Sequence, residues 1–225
     1  MDNLYSPTIT ASDEIVTADA DMRRHIAALR LREGERVRLL NGKGLVVICS
    51  VVRDAAGIML RAHERQQHKR PADLCLALGV LDNRDRFEFA IEKATELGVT
   101  RIIPLLCDHS QFVRSNHERL CSKAIAAITQ SGNPWLPVID HPTKVDDLDF
   151  TGTVVLGDAL GEPPSPIPSQ ARMILVGPEG GFSQRELDHI QKTLHPIRWR
   201  IGHNRLRAET AAIALIGNAV LGTRD

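Results

Sequence analysis

The segment ILVGPEGGFSQRELDHI, residues 174–190, passes from an apolar stretch through a glycine-rich turn into a run with helical spacing. Ser183 and Glu186 have the S-x-x-E spacing of a capping box, which predicts that a helix begins there. Ligands of open α/β sheets bind where a strand ends and a helix follows. Residues 177–181 are therefore predicted to form a ligand-binding loop, and a tight turn that uses glycine for positive φ is the structural alternative.

The composition of this loop argues against the two common phosphate-binding motifs. A Walker A loop carries lysine and then serine or threonine after its glycines, whereas Gly-Phe-Ser stands here. A dinucleotide fingerprint has the spacing G-x-G-x-x-G, but this loop reads G-x-x-G-G, and Glu179 would repel a pyrophosphate. The loop is therefore better suited to a neutral or cationic ligand.

A second stretch that could carry chemistry is RIGHNRLRAETAAIALIGNAVLG, residues 200–222. A predicted strand ends at residues 201–202, and a short polar loop with two arginines follows it. Glu209 and Thr210 suit the first turn of a helix, where free N–H groups and the helix dipole favour acids and hydroxyls. The helix is so rich in alanine and glycine that we expect it to pack closely against the sheet or another subunit.

The composition is that of a globular protein, with 43% hydrophobic and 25% charged residues among 225. No apolar run approaches the roughly 18 residues of a membrane span, so no membrane partner is expected. The first residues lack the features of a signal peptide, and the four cysteines are widely spaced. These features favour a cytoplasmic protein with reduced thiols. Because no group of His, Cys, Asp or Glu has ligand-like spacing, no metal site is predicted.

Charge is unevenly distributed although the formal net charge is zero. Residues 22–43 contain seven basic side chains and two acidic ones. The sequence leaves two interpretations of this patch open. It is either a solvated surface on which arginine stems cover apolar neighbours, or a site of contact with nucleic acid.

The first third of the chain is predicted to form a β-rich module. The runs ERVRLLNG and LVVICSVV are β-branched and roughly alternating, and the Asn41-Gly42 turn between them is a strong hairpin signal. GIMLRAHE supplies a third strand. Short strands with tight turns predict a small barrel or curled sheet, and the polar segment RQQHKRPAD is the predicted linker.

After Pro71 the pattern changes to alternating strands and helices. LCLALGV is a continuous apolar run, typical of a strand that is buried on both faces. RFEFAIEKATELG has helical spacing and ends at Gly98, a residue type favoured just after helices, and VTRIIPLL is the next strand. Residues 74–106 are therefore a predicted βαβ unit, and the later strands predict an α/β domain with a mainly parallel sheet.

Taken together, these motifs resemble those of the RsmE family. Its members are 16S ribosomal RNA methyltransferases that act on uridine N3 and belong to the SPOUT superfamily. GPEGGFSQRE and IGHNRLRAETA carry the resemblance in the second half of the chain, and IEKATELGVTRIIPL matches the family's central segment. HIAALRLREGERVRLLNGKG resembles the family's PUA-like barrel. The matches follow the family's order over nearly the whole chain.

The resemblance implies a fold, a cofactor and partners. Residues 1–70 are expected to form a small PUA-like β-barrel that binds RNA. Residues 71–225 are expected to form an α/β methyltransferase domain of the SPOUT type, with a mainly parallel sheet and a C-terminal trefoil knot. The resemblance further implies S-adenosyl-L-methionine as cofactor, 16S ribosomal RNA in the small ribosomal subunit as partner, and a homodimer.

Site residues follow from the same resemblance. Loops of the knot are expected to form the cofactor pocket from Leu156, Gly157, Val176, Gly177, Pro178, Glu179, Gly180, Gly181, Ile201, Gly202, Leu206, Arg207, Thr210 and Ala211. The cofactor has a sulfonium and no phosphate, which is compatible with a loop that contains a glutamate and no lysine. The expected RNA contacts are Arg23, Arg24, Arg30 and Arg86.

The implied reaction requires that the methyl group lie in line with the uridine N3 atom and that N3 lose its proton. Arg207 is expected to stabilise the developing anion. Glu209 is expected either to orient Arg207 or to act as the base, with plain helix capping as the alternative. Glu179 is a third candidate for catalysis, and His203 is expected to face solvent.

Several positions depart from the family pattern. Asn83, Thr129, Asn133 and Asn204 stand where charged side chains are usual, and the initial MDNLYSP lacks an arginine. The lost charges would have suited RNA contacts. The departures leave two alternatives: a SPOUT enzyme that acts on another RNA or on a ribose 2′-OH, and a noncatalytic RNA-binding relative.

Overall fold

The computed structural model describes residues 1–55, 57–110, 116–168 and 170–222. The chain divides into two compact units, Met1–Arg70 with Ile125–Leu136 and Pro71–Ala124 with Pro137–Asp225. Over the described ranges, the structure contains no helix with the length and apolarity that crossing a bilayer demands. The predicted assignment of an RNA-binding domain to residues 1–70 and a methyltransferase domain to residues 71–225 stays a prediction.

The first unit contains a five-stranded sheet with the order β1-β3-β4-β5-β2. Its strands are β1 (Asn3–Tyr5), β2 (Ile15–Thr17), β3 (Arg36–Leu40), β4 (Leu45–Asp54) and β5 (Gly57–Gln67). β1 pairs with β3 in parallel, and the other pairings are antiparallel. Helix α1 (Ala20–Ala28) begins after the N-cap Asp19, which accepts a hydrogen bond from the backbone N–H of Met22. The three longer strands are those the sequence predicts; β1 and β2 are too short to show a periodicity.

The predicted turn at Asn41-Gly42 connects β3 and β4. Asn41 Oδ1 accepts hydrogen bonds from the backbone N–H groups of Lys43 at 2.7 Å and Leu45 at 3.0 Å. Gly42 has a φ of 70°, which glycine adopts without steric cost. Side-chain and backbone geometry therefore explain together why the chain reverses at this point.

The second unit contains a parallel sheet with the order β12-β10-β11-β6-β7-β8, and β9 also pairs with β7. Its strands are β6 (Leu74–Gly79), β7 (Arg101–Leu106), β8 (Val138–Ile139), β9 (Thr143–Lys144), β10 (Thr153–Glu162), β11 (Arg172–Val176) and β12 (Ile197–Trp199). β6 and β11 are buried along their whole length, as strands covered on both faces must be. The predicted α/β architecture with a mainly parallel sheet is confirmed.

The helices after β6 are α2 (Arg84–Glu96), α3 (His117–Ser131), α4 (Gln184–Leu194) and α5 (Ala208–Leu221), and a short 3₁₀ turn lies at Val145–Asp147. α3 belongs to the second unit only as far as Ala124. α2 begins after Asn83, whose side chain accepts from the Arg86 N–H at 3.0 Å, and Gly98 follows it with a φ of 84°. The predicted end of this helix is therefore confirmed, because glycine occupies the left-handed region there.

Strand β11 begins with a buried arginine that contacts α5. Arg172 Nη1 donates to the carbonyl oxygen of Ala219 at 2.7 Å, in the last turn of that helix. Burial lowers the pKa of Arg172, and its Nε has no hydrogen-bond partner among the described residues. Since the last carbonyls of a helix lack helical partners, this contact satisfies one of them and attaches α5 to the sheet.

Candidate functional site

A cavity of about 530 Å³ opens beside β10 and at the ends of β11 and β12. It is lined by residues 156–159 within β10 and by the segments at the ends of β11 and β12, residues 176–182 and 199–208 without residue 203, together with Leu187, Ala211 and Leu215. This is the edge of a parallel sheet at which ligands of α/β proteins bind. Thirteen of the fourteen residues expected to hold a cofactor line this cavity, and Thr210 does not.

The glycine-rich loop is compact and closely packed. Gly181 has a φ of 72°, and its N–H donates to the Pro178 carbonyl oxygen at 2.8 Å. A Cβ added to Gly180 would lie 2.9 Å from the Cβ of His109. Positive φ therefore explains the glycine at position 181, whereas a close approach to a neighbouring chain segment explains the glycine at position 180.

Both the carboxylate and the backbone carbonyl group of Glu179 accept hydrogen bonds. Its Oε2 atom accepts from the backbone N–H of Asp82 at 3.3 Å, and its carbonyl oxygen accepts from Arg205 Nη2 at 3.2 Å. The residue lines the cavity, but its carboxylate is engaged with the chain that follows β6. This geometry gives Glu179 a role in shaping the loop.

The predicted capping box is present, and its two residues also form hydrogen bonds with Asp108. The Ser183 N–H donates to Glu186 Oε2 at 2.8 Å, and the Glu186 N–H donates to Ser183 Oγ at 3.2 Å. Glu186 is buried, and its other oxygen accepts from the Asp108 N–H at 2.9 Å. Ser183 Oγ in turn donates to Asp108 Oδ2 at 2.6 Å. The start of α4 is thereby joined to the segment that follows β7.

Asp108 also belongs to an ion-pair network. Arg185 donates to Asp108 from Nη2 at 2.9 Å and to Asp146 from Nη1 at 2.6 Å. The hydrogen bond from Arg185, followed by that from Ser183, lowers the pKa of Asp108. The next residue, His109, places Nδ1 at 3.2 Å and 3.3 Å from the carbonyl oxygens of residues 180 and 181. The segment at residues 107–110 therefore fixes the glycine-rich loop from outside the cavity.

Asp108 and His109 support the glycine-rich loop but were not among the residues predicted from the sequence. A signal was available, because these residues follow β7 directly, and the carboxyl ends of parallel strands meet at one edge of the sheet. The cavity is also lined by residues that were not predicted, namely Asp158, Ala159, Phe182, Leu187, Trp199, Arg200, Asn204, Arg205 and Leu215.

The two predicted catalytic residues have different environments. Arg207 is exposed at the N-cap position of α5 and lines the cavity. Glu209 is buried outside the cavity lining; its Oε1 lies 3.8 Å from Arg86 Nε, and its Oε2 has no hydrogen-bond partner among the described residues. No ion pair joins Glu209 to Arg207 in the described part of the chain, so the expected orienting contact is not formed.

The predicted RNA-binding arginines fall in both units. Arg23 and Arg24 are exposed on α1, where Arg24 forms an ion pair with Asp21, and Arg30 is exposed just after that helix with a φ of 55°. Arg86 is half-buried on α2, beside Glu209. Two of these four arginines thus form ion pairs with acidic side chains, and contact of all four with RNA stays a prediction.

The positions that depart from the family pattern have structural partners. Asn83 caps α2, Thr129 Oγ1 donates to the Ile125 carbonyl oxygen at 2.7 Å, and Asn133 Oδ1 accepts from the Trp135 N–H at 3.0 Å. Asn204 lines the cavity, whereas the nearby His203 is exposed and does not. Within the described ranges, no group of three His, Cys, Asp or Glu side chains could hold a metal ion.

A family model and several named relatives match this chain. Residues 68–220 match the family model of the RNA methyltransferase domain. The ribosomal RNA small subunit methyltransferase E of Rickettsia conorii is 32% identical over 205 residues, 86% of this chain and 83% of the relative. The protein of that name from Aquifex aeolicus is 26% identical over 210 residues, 86% of this chain and 88% of the relative.

A solved structure matches nearly the whole chain. The crystal structure of a ribosomal RNA small subunit methyltransferase E from Neisseria gonorrhoeae, bound to S-adenosyl methionine, is 25% identical with a TM-score of 0.83. The match covers 96% of this chain and 95% of the other.

Proposed function

We propose a specific reaction for this chain, which belongs to the RNA methyltransferase family: transfer of a methyl group from S-adenosylmethionine to N3 of a uridine in 16S ribosomal RNA of the small ribosomal subunit. The observation that carries this proposal is the cavity beside β10 and at the ends of β11 and β12. Its composition and position fit the cofactor, and Arg207 lines it.

The cavity has the size and surface that S-adenosylmethionine requires. Its volume lies within the roughly 300–1,000 Å³ of small-molecule sites. Leu156, Val176 and Leu215 supply apolar wall suited to an adenine ring, and the glycine-rich loop supplies backbone polar groups. No lysine lines the cavity in the described part of the chain, as suits a cofactor without phosphate.

Arg207 is the residue best placed to act on the uridine. S-adenosylmethionine supplies an electrophilic methyl carbon when it is bound. As N3 releases its proton to solvent the base becomes anionic, and a guanidinium beside it stabilises that charge in the transition state. Because Arg207 lines the cavity and Glu209 does not, we assign the electrostatic role to Arg207 and give Glu209 the supporting role of holding Arg86.

The proposal extends to assembly and location. We propose a trefoil knot in the second unit, RNA contacts from residues 1–70, a homodimer and a cytoplasmic site of action. The exposed Val220 and Leu221 at the end of α5 support a subunit contact there, since apolar side chains on a helix end favour burial against a partner.

A different RNA target is the second candidate function. Asn204 lines the cavity at a position where the family pattern has a charged side chain. That observation favours a change in the nucleoside that is bound, such as a uridine in another RNA or a ribose 2′-OH as methyl acceptor.

The test is labelled methyl transfer to small ribosomal subunits that lack the modification. After digestion to nucleosides, chromatography separates 3-methyluridine from 2′-O-methyluridine, which has the same mass. We expect 3-methyluridine. A 2′-O-methylated product, or transfer to another RNA only, would replace the proposed reaction by the second candidate, and failure to transfer to any RNA would refute both.

A further inference from the structure

Three cations surround one buried carboxylate on the exposed surface between α2 and α3. We call this group the Glu88 cluster; it consists of Arg84, Glu88, Arg119 and Lys123. Glu88 Oε1 accepts hydrogen bonds from Arg84 Nε at 2.8 Å and from Arg119 Nε, and Lys123 Nζ lies 3.5 Å from Oε2. All four residues belong to the second unit, and none lines the cavity.

The cluster exposes more positive charge than its carboxylate can cancel. Hydrogen bonds from Arg119 and Arg84 lower the pKa of Glu88 to about 2, so it is ionised at neutral pH. Its side chain is 5% exposed, whereas those of Arg84, Arg119 and Lys123 are 54%, 44% and 38% exposed. Asp85 acts on Arg119 through space and offsets part of the excess. The surface therefore presents net positive charge to solvent.

A purely structural role accounts for one of these cations. A buried carboxylate requires a well-placed partner, and Arg84 provides it within the same helix. Further ion pairs made by exposed cations add little to stability. Elsewhere on α2, Lys93 shows the opposite balance, because it lies 2.8 Å from both Glu92 and Glu96. The excess of cations around Glu88 is therefore not repeated around Lys93 on the same helix.

The geometry of the two arginines suits an anionic ligand. Arg84 and Arg119 both use Nε to contact Glu88, and their Nη groups make no hydrogen bond to the described residues. Free guanidinium N–H groups match the oxygens of a phosphate. Since Glu88 already holds both side chains in place, less conformational entropy is lost when a ligand binds.

We propose that the Glu88 cluster binds backbone phosphates of the RNA substrate, outside the cavity in which methyl transfer occurs. This inference rests on the proposed function for the statement that RNA is the substrate. Phosphate contacts position an RNA and carry no base specificity. The cluster therefore contributes to the affinity for RNA and to its dependence on salt, and it leaves cofactor binding unchanged.

The test compares RNA binding by the wild-type chain and the R119A/K123A variant, which keeps Arg84 as the partner of Glu88. Filter binding of a labelled 16S ribosomal RNA transcript is measured over a range of KCl concentrations. Two lost phosphate contacts should reduce the magnitude of the salt slope by about 1.4–1.8 and weaken binding at 0.1 M salt by roughly 25- to 60-fold. R119K/K123R keeps the charge and should stay close to wild type, and K93A, on the helix that carries Glu88, is the control.

Each outcome separates this inference from the proposed function. Calorimetric affinity for S-adenosylmethionine should be the same in all variants, which also shows that they fold. An unchanged salt slope in R119A/K123A overturns the Glu88 cluster as an RNA site, and methyl transfer by the wild type then still supports the proposed reaction. RNA binding with the expected slopes but without methyl transfer refutes only the reaction. A wild-type chain that binds no RNA overturns both the proposed reaction and the RNA site. If the R119A/K123A subunits dissociate in sedimentation while the salt slope is unchanged, the cluster is a subunit contact instead.

Discussion

Two loops line the same cavity, and the rest of the protein holds them very differently. The loop at residues 177–181 contacts His109 and the backbone of Asp82, and it leads into the capping box of α4. The loop at residues 200–207 carries mostly exposed side chains. Those side chains make one hydrogen bond among the described residues, from Arg205 to the first loop.

This difference matches a division of tasks. A loop that is fixed before binding loses little entropy when it receives a cofactor. Exposed cations that make few hydrogen bonds within the protein remain free to interact with the substrate in the transition state. We therefore expect substitutions in the first loop to affect cofactor affinity and stability, and substitutions in the second loop to affect turnover.

The largest expected effect is that of R207A. Removing the guanidinium should lower turnover at saturating cofactor by roughly 10²- to 10³-fold, as for other losses of transition-state charge stabilisation. Labelled methyl transfer measures turnover, and calorimetry should show nearly unchanged S-adenosylmethionine affinity. R207K, which keeps the charge, should recover part of the rate. Loss of cofactor binding with normal turnover at saturation would contradict the assigned role.

A matched pair of glycine substitutions compares the two loops directly. In G180A the new methyl group meets the Cβ of His109 at 2.9 Å, so we expect a loss of about 1–3 kcal/mol in the free energy of unfolding. A Cβ at Gly202 meets no atom within 4 Å, and G202A should change stability by less than about 0.5 kcal/mol. Denaturant unfolding measures both. Equal effects would show that the loops are held alike.

D108N tests the support behind the first loop. It weakens the contacts of Asp108 with Arg185 and Ser183, and we expect cofactor affinity to fall by roughly tenfold, as for one charge-assisted hydrogen bond. D188N on the exposed face of α4 is the control and should leave affinity unchanged. Calorimetry with S-adenosylmethionine decides; an unaltered affinity in D108N would mean that the loop keeps its shape without this network.

The smallest expected effect is a pH dependence of the same contact. Because the pKa of Asp108 is lowered in the folded state, its contribution to stability is present above its ordinary pKa of about 4 and is lost as pH falls through the lowered value. The wild type should therefore unfold at a higher temperature than D108N at pH 6, and the difference should shrink towards pH 3. A difference that grows on acidification would contradict this sign.

Local sequence patterns predicted the features that depend on near neighbours. Ser183 and Glu186 lie three residues apart and cap the helix that their spacing predicts. The Asn41-Gly42 turn and Gly98 depend in the same way on conformations available within a few residues. The longer strands were predictable because burial on both faces leaves a continuous apolar run.

Features that depend on distant neighbours were not predictable in this way. Asp108 meets Ser183 only because strand order brings the ends of β7 and β11 to one edge of the sheet. Helical phase explains why Thr210 does not line the cavity. Ala208, Ala211 and Leu215 share one face of α5 and line the cavity, whereas a residue two positions after Ala208 is rotated by about 200°.

The contact between Arg172 and Ala219 has a consequence for synthesis on the ribosome. Arg172 lies at the start of β11, a central strand of its sheet, but its acceptor is 47 residues further along the chain. A nascent chain in which β11 has emerged and Ala219 has not would have to bury a guanidinium without this partner. Completion of the sheet is thereby coupled to the emergence of α5 from the exit tunnel, which favours folding of β11 together with α5 over folding strand by strand.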